Sequence, residues 1–279
     1  MRASRSQQLL TYGILTVFLF VAVMPFAGNL LTSLKGRTEL SGGLFTLPES
    51  WLWSNYSDAW QGARFGDFFI NSLVVVVPVV LVSLILSMLS GYAFGMMSFP
   101  GQNLLLLVII LGLMAPHEAV IISVWHLMDQ LHLRNSYYAL ILPQIALSFS
   151  FGTFWMRAHF KGIPRDLVDA AVVDGCTTSP FSPRNVLWRI LLPLSGPALM
   201  SLVVLIFMWT WNEFFLVLVL GDSAHRTLPV GLALLRGQYS SNVPVMAAAS
   251  TIVSLPVLVL YFLFQRHFIQ GIASGAVKG

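Results

Sequence analysis

The chain has 279 residues, 57% of them apolar and 9% charged, with a formal net charge of +4 and a single cysteine, Cys176; its mean hydropathy is +0.80. About a quarter of the residues of a soluble globular domain are charged, so the composition excludes such a domain, together with a disordered chain, a disulfide-built secreted domain and a collagen-like repeat. The 15 basic residues are scattered and make no basic face, which removes nucleic acid as a partner and leaves the lipid bilayer as the expected surroundings.

Met1-Arg-Ala-Ser-Arg5 precedes an apolar run that is too long for a secretory signal and lacks a small-x-small cleavage site, so it reads as a retained first span. Six runs follow one another: Leu9–Leu31, Phe68–Phe94, Leu104–Met128, Tyr137–Met156, Leu194–Leu220 and Val243–Phe264. Each has about 20 to 27 residues, enough to cross about 30 Å of hydrocarbon at a helical rise of 1.5 Å. The expected fold class is an all-α integral membrane protein of six transmembrane helices, one domain over residues 1–279 with no internal repeat.

An even number of spans puts both termini on one side. With those termini in the cytoplasm, nine Lys and Arg residues fall inside and six outside, which favours that orientation. The outer segment Thr32–Asp67 then carries Trp51, Trp53, Tyr56 and Trp60 at the level of an interfacial aromatic belt. Phe99-Pro-Gly-Gln102 is a tight cytoplasmic turn, and Arg157–Leu192 is the one large cytoplasmic loop. Long loops between rigid elements tend to carry function.

Glu118 in the third span and Glu213 in the fifth are costly near a bilayer centre, at about 2.5–3.5 kcal/mol each, so both are expected to face the bundle or a watery cavity. Asn71, Gln144, Ser148, Trp211 and Asn212 join them as candidate pathway residues, with Trp209 beside them. The competing reading makes the Ser and Asn side chains glue between helices and the tryptophans interfacial anchors. His117 and Glu118 are neighbours on a helix whose side chains diverge by about 100°, so they are not expected to pair. The six histidines and Cys176 make no metal spacing, and no metal or cofactor is expected on this chain.

Within the large loop, Gly162-Ile-Pro-Arg-Asp-Leu-Val-Asp-Ala-Ala-Val-Val-Asp-Gly175 carries helix markings: Pro164 in the first turn, Asp166 at the positive end of the dipole and Gly175 at the stop. Leu167, Ala170, Ala171 and Asp174 share a face, and two adjacent alanines leave a shallow surface for another backbone or groove. A passive amphipathic helix lying on the membrane is the alternative. Of the three lysines, Lys35, Lys161 and Lys278, none follows a glycine, so the chain lacks the Gly-Lys-Ser/Thr phosphate cradle and ATP hydrolysis must come from another polypeptide.

Asp169-Ala170-Ala171, Gly175 after three more residues, and Ile190-Leu191-Leu192-Pro193 resemble the EAA-loop signature of ABC-importer permeases. Asp169 stands where glutamate is usual, and the spacer from Gly175 to Ile190 holds five surplus residues around Ser179-Pro-Phe-Ser-Pro-Arg184. Leu113-Met-Ala-Pro-His-Glu-Ala-Val-Ile-Ile122, Asn135-Ser-Tyr-Tyr-Ala-Leu-Ile-Leu142, Trp211-Asn-Glu-Phe-Phe215, Thr227-Leu-Pro-Val-Gly-Leu232 and Gly275-Ala-Val-Lys-Gly279 are similar to landmarks of the six-span, smaller permease of the maltose-type family.

The resemblance implies a type I ABC importer permease fold and the function of a permease subunit in a binding-protein-dependent importer for a carbohydrate or related polyol, in a bacterial cytoplasmic membrane. It implies as partners a second permease in a heterodimer, two ATPase subunits that bind ATP-Mg, and an extracytoplasmic solute-binding protein. Pro164, Asp166, Leu167, Asp169, Ala170, Ala171, Asp174, Gly175, Leu192 and Pro193 would form the ATPase-coupling surface, and the tail Gly275, Ala276, Val277, Lys278 and Gly279 would reach the ATPase dimer. Two other classes stay open from the residues alone. An ion-coupled carrier would need paired broken helices in related halves, and an intramembrane enzyme would need a second polar group converging on Glu118 or Glu213.

Overall fold

The computed structural model describes residues 4–114, 116–177, 185–238 and 242–276. Among them the helices are α1 (Arg5–Ser33), α2 (Ser54–Gln61), α3 (Phe65–Met96), α4 (Gln102–Met114), α5 (His117–Gln130), α6 (Tyr137–Lys161), α7 (Arg165–Val173), the single turn α8 (Leu192–Leu194), α9 (Gly196–Trp211), α10 (Phe215–Leu220), α11 (Leu228–Gln238) and α12 (Val243–Ala276). Four of the predicted spans are long apolar helices, α1, α3, α6 and the first part of α12. The third, expected as continuous, is a bent pair, with α4 and α5 meeting at 103°. The fifth, expected over Leu194–Leu220, is displaced: the segment Leu187–Leu194 meets α9 at 70°, α9 ends at Trp211, Glu213 and Phe214 lie outside any helix, and α10 follows separately.

Both breaks follow from proline. Pro116 has no N–H and disfavours helical geometry in the residue before it, so α4 stops at Met114 and Pro116 becomes the N-cap of α5. In the fifth span a π-turn over Leu187–Leu191 runs into Pro193 and Pro197. Ser195, at the bend, turns its hydroxyl back to Leu191 O (2.6 Å), and His159 near the end of α6 lies 3.0 Å from the same hydroxyl. A π-turn with prolines is a recognised cause of a sharp kink.

The chain forms two compact units. One comprises residues up to Asp67 together with Gly231–Pro256. Here α1 starts in a capping box in which Ser4 Oγ accepts from Gln7 N and Gln7 Oε1 accepts from Ser4 N. Its apolar side chains from Leu9 to Phe26 are mostly exposed within the chain, as suits a helix whose solvent is lipid or another subunit. Asn29 ties α1 to α12 by donating to Ala247 O (3.2 Å) and Thr251 Oγ1 (3.0 Å).

The segment between α1 and α2 is ordered around Lys35, one of the six basic residues that the sequence reading counted as outer. It is 1% exposed, and its ammonium donates to Gly43 O (2.7 Å) and Thr46 Oγ1 (2.9 Å). A buried cation is tolerated when oxygens replace its water. Asn55 bridges Ser33 O and Lys35 O. Glu39 accepts from Glu49 N and Gly36 N, and these bonds, the first foremost, hold its carboxyl below the usual range. Trp51, Trp53 and Trp60 are exposed.

The second unit comprises Phe68–Val230 and the residues from Val257 on. In it α6 is central and packs against α4, α9 and α10. Its crossing with α3 rests on small residues: a Cβ on Gly152 would run into Ser87 Oγ, and one on Gly91 into Met156 Cβ. Close backbone approach through such residues is the usual way membrane helices adhere.

Candidate functional site: a polar cavity and the α7 loop

One face of α6 carries Gln144, Ser148 and Phe151 at i, i+4 and i+7. Opposite it, α9 presents Leu205, Met208 and Trp209 and ends at Asn212 and Glu213, while the break between α4 and α5 contributes Leu113 and His117. These side chains line an open cavity of about 460 Å³, a volume suited to a small polar ligand. Gln144 donates through its amide nitrogen to Leu140 O (2.9 Å). Asn212 donates to Met208 O (2.7 Å), and Glu213 Oε1 accepts from Leu216 N (2.9 Å) at the start of α10.

Phe151 and Trp209 meet edge to face, with centroids 4.7 Å apart at 78°, and Trp209 is 48% exposed. An indole face beside a carboxylate, an amide and a hydroxyl suits a ligand with an apolar ring face and a hydroxyl rim. Of the predicted pathway residues, Gln144, Ser148, Asn212 and Glu213 come together here. Asn71, Trp211 and Glu118 do not.

Each of those three has a physical reason for lying elsewhere. Asn71 is buried, donating to Ala224 O (2.8 Å) and Arg226 O (2.9 Å) and accepting from Tyr137 Oη (2.6 Å), so it clamps the loop between α10 and α11. Trp211 lies two residues, about 200°, round the helix from Trp209; it is 1% exposed and packs on Phe69 and Phe207. Glu118 stands in the first turn of α5, more than half exposed, with its carboxylate 3.1 Å from His117 Nε2. That contact corrects the expectation that the neighbours diverge: at an open helix end the flexible glutamate folds back to the imidazole. His117, Phe151 and Met208 are cavity residues that sequence reading missed, and the signal for His117 was its place directly after Pro116.

On the loop side, α7 runs from Arg165 to Val173 with Pro164 as N-cap. It ends in a Schellman motif: Gly175 at φ +87° donates to Val172 O (3.0 Å) and Cys176 N to Ala171 O (2.9 Å). Asp166, Leu167, Asp169, Ala170 and Asp174 are exposed. Ala171 is not: at 3% exposure it packs inward, so it leaves the face assigned to it. Val173, missed in the sequence, is 87% exposed and lies three residues after Ala170 on the outward side. Leu192 is half-buried and Pro193 exposed at the kink.

Residues 178–184, the stretch in which the five surplus residues fall, lie outside the described residues. Their flanks meet, since Thr177 bridges to Asn185 and Val186 N donates to Thr177 O (3.1 Å). Gly275 and Ala276 end α12, and Val277, Lys278 and Gly279 lie outside the described residues.

Residues 83–274 match the family described as binding-protein-dependent transport system inner membrane component. The chain is 34% identical over 265 residues, 93% of its length and 92% of the relative's, to the arabinooligosaccharides transport system permease protein AraQ of Halalkalibacterium halodurans. It is 32% identical to the sulfoquinovosyl glycerol transport system permease protein SmoH of Agrobacterium fabrum, over 95% of the chain and 92% of the relative. A crystal structure of a bacterial ABC transporter that imports the acidic polysaccharide alginate has a chain that superposes with a TM-score of 0.77 at 23% identity, covering 96% of this chain and 99% of that one. The fold is thus that of a type I ABC importer permease.

Proposed function

The chain belongs to the binding-protein-dependent transport system inner membrane components, multi-pass permeases whose ATPase is a separate chain, and from that premise we propose that it forms half of the translocation path for a carbohydrate or related polyol. The observation that carries this reading is the cavity walled by Trp209, Phe151, Gln144, Ser148, Asn212 and Glu213. The named substrates of its relatives, an arabinooligosaccharide and a sulfoquinovosyl glycerol, support the substrate class.

The assembly proposed is a heterodimer with a second permease above two ATPase subunits, fed by an extracytoplasmic binding protein, with both termini of this chain in the cytoplasm. ATP and its magnesium are held by the ATPase partner. The outward surface of α7, with Leu167, Asp169, Ala170, Val173 and Asp174, docks on that partner, and Gly275–Gly279 extend toward it. Closure of the ATPase pair draws α7 inward; the kink at Ser195, joined to α6 through His159, carries the movement to α9 and the cavity wall.

The test is copurification of the chain from its native membrane, followed by sugar uptake with the assembled importer in vesicles. A second permease and an ATPase should accompany it, and Trp209→Ala should lower uptake about tenfold or more while assembly persists, the loss of a well-placed aromatic being worth on the order of 1–3 kcal/mol. A chain that purifies alone and moves solute without ATP would overturn the reading.

A further inference from the structure

One stripe of α6 is fastened to α9 at both of its ends. Phe151, Trp155 and His159 recur every four residues along it. Trp155 Nε1 donates to Ala198 O (3.1 Å) in the first turn of α9, and one turn further along α6, His159 Nε2 lies 3.0 Å from Ser195 Oγ. A hydroxyl has one hydrogen, and the buried Ser195 gives its own to Leu191 O (2.6 Å). Its oxygen therefore accepts, and His159 Nε2 carries the hydrogen whether the ring is neutral or protonated. At the cavity end Phe151 stacks on Trp155 (5.9 Å) and meets Trp209 edge to face.

We propose that Trp155 and His159 are positioning residues that lock the kink between Leu187–Leu194 and α9, so that a push on that segment reaches Trp209 instead of being absorbed by bending. The inference rests on the reading that α7 docks on the ATPase and that the cavity lies on the sugar path. Left to itself the bend is soft, because Pro193 and Pro197 have no N–H with which to carry a continuous helix through it. Ser195 N is shared between Leu191 O (2.9 Å) and Leu192 O (3.1 Å). The two α6 donors supply from outside what the prolines remove. Ser195 is the pivot: its oxygen takes a hydrogen from α6 and its own hydrogen goes to Leu191, so three elements meet at one hydroxyl. Ser195 and Ala198 are both buried, so water does not compete for these acceptors.

The experiment uses the complete importer in membranes with its binding protein, and the probe is ATP-Mg trapped by vanadate. The chain carries Asn212→Cys with Cys176→Ser, and a neutral methanethiosulfonate reagent reads access to the cavity wall as a labelling rate; Ser148→Cys repeats the measurement from α6. Trapping should change that rate. His159→Phe, which keeps a ring without a donor, and Trp155→Phe, which keeps its stack on Phe151, should each shrink the change about threefold or more while the amount of trapped nucleotide stays the same. His159→Gln, whose amide nitrogen reaches the place of Nε2, should restore it. A change of full size in both phenylalanine variants overturns the proposal and leaves the importer reading standing, and so does a glutamine variant as poor as the phenylalanine one. An importer without these α6 substitutions whose labelling at both positions ignores trapped nucleotide overturns instead the reading that the cavity is on the ATP-driven path, and the proposal falls with it.

Discussion

Ser90 Oγ of α3 and Thr153 Oγ1 of α6 lie 2.7 Å apart, one residue from the point where Gly152 meets Ser87. The hydroxyl pair and the missing side chain are two parts of one contact, because only a glycine lets the hydroxyls approach. Gly152→Val should destabilise the protein by about 1–3 kcal/mol through overpacking, and Ser90→Ala by only about 0.6 kcal/mol, the mean for such bonds in membranes. Thermal unfolding in detergent orders the two, and a Gly152→Val chain as stable as its parent would contradict the crossing.

At the end of α7 the prediction concerns coupling. Gly175→Pro removes the N–H that reaches Val172 O and forbids φ +87°, while Gly175→Ala costs about 1–2 kcal/mol for a left-handed residue. The proline variant, and separately Asp169→Lys, should lose ATP-driven uptake with membrane insertion unchanged; the alanine variant should keep part of it. Normal uptake by the proline and lysine variants would remove α7 from the docking surface.

Asn71 should behave as a structural residue. Asn71→Leu strands Ala224 O, Arg226 O and Tyr137 Oη, at about 1–3 kcal/mol for each buried group left unpaired. Hydrogen exchange of residues 221–227 should rise while the order of preference among sugars stays the same. A changed preference with unchanged exchange would return Asn71 to the pathway.

The same loop should respond to acid. Burial opposes ionisation of Asp222, yet hydrogen bonds from the His225 ring and backbone, and from Ala224 N, outweigh it and hold the carboxyl below its usual range. A depressed carboxylate adds stability that is complete above its unfolded value, near 3.9, and is lost as pH falls through the folded one. Exchange at Ala224 and His225 should therefore accelerate only on acidification below about pH 4, and Asp222→Asn should flatten that dependence. Acceleration beginning near neutrality would point to a different group.

The family, the α7 helix and four long apolar helices were legible because they rest on one-dimensional signals: uninterrupted apolar runs, and Asp169-Ala170-Ala171 followed by Gly175; the fifth run was misplaced, because apolar α10 extends it past the end of α9. The breaks at Pro116 and Ser195 were not legible, since hydropathy averages across a proline and is blind to the π-turn beside it. Within the cavity, Gln144 and Ser148 could be picked as polar residues in an apolar helix, but Trp209 and Trp211 look equivalent until the rotation of α9 is known. Asn71 misled for a related reason. A buried amide is equally costly whether a ligand or a loop satisfies it, and only the carbonyls of Ala224 and Arg226 reveal which.

The pairing of Thr177 with Asn185 closes the base of the surplus segment, so the length of chain beyond that base is uncoupled from the register of Ile190–Pro193. Loop closure entropy grows only as the logarithm of length, about 0.6 kcal/mol per doubling. Insertions or deletions between Thr177 and Asn185 should therefore leave the register of Ile190–Pro193 unchanged. The same closed base makes this the place to graft an epitope or a fluorescent reporter into a working importer.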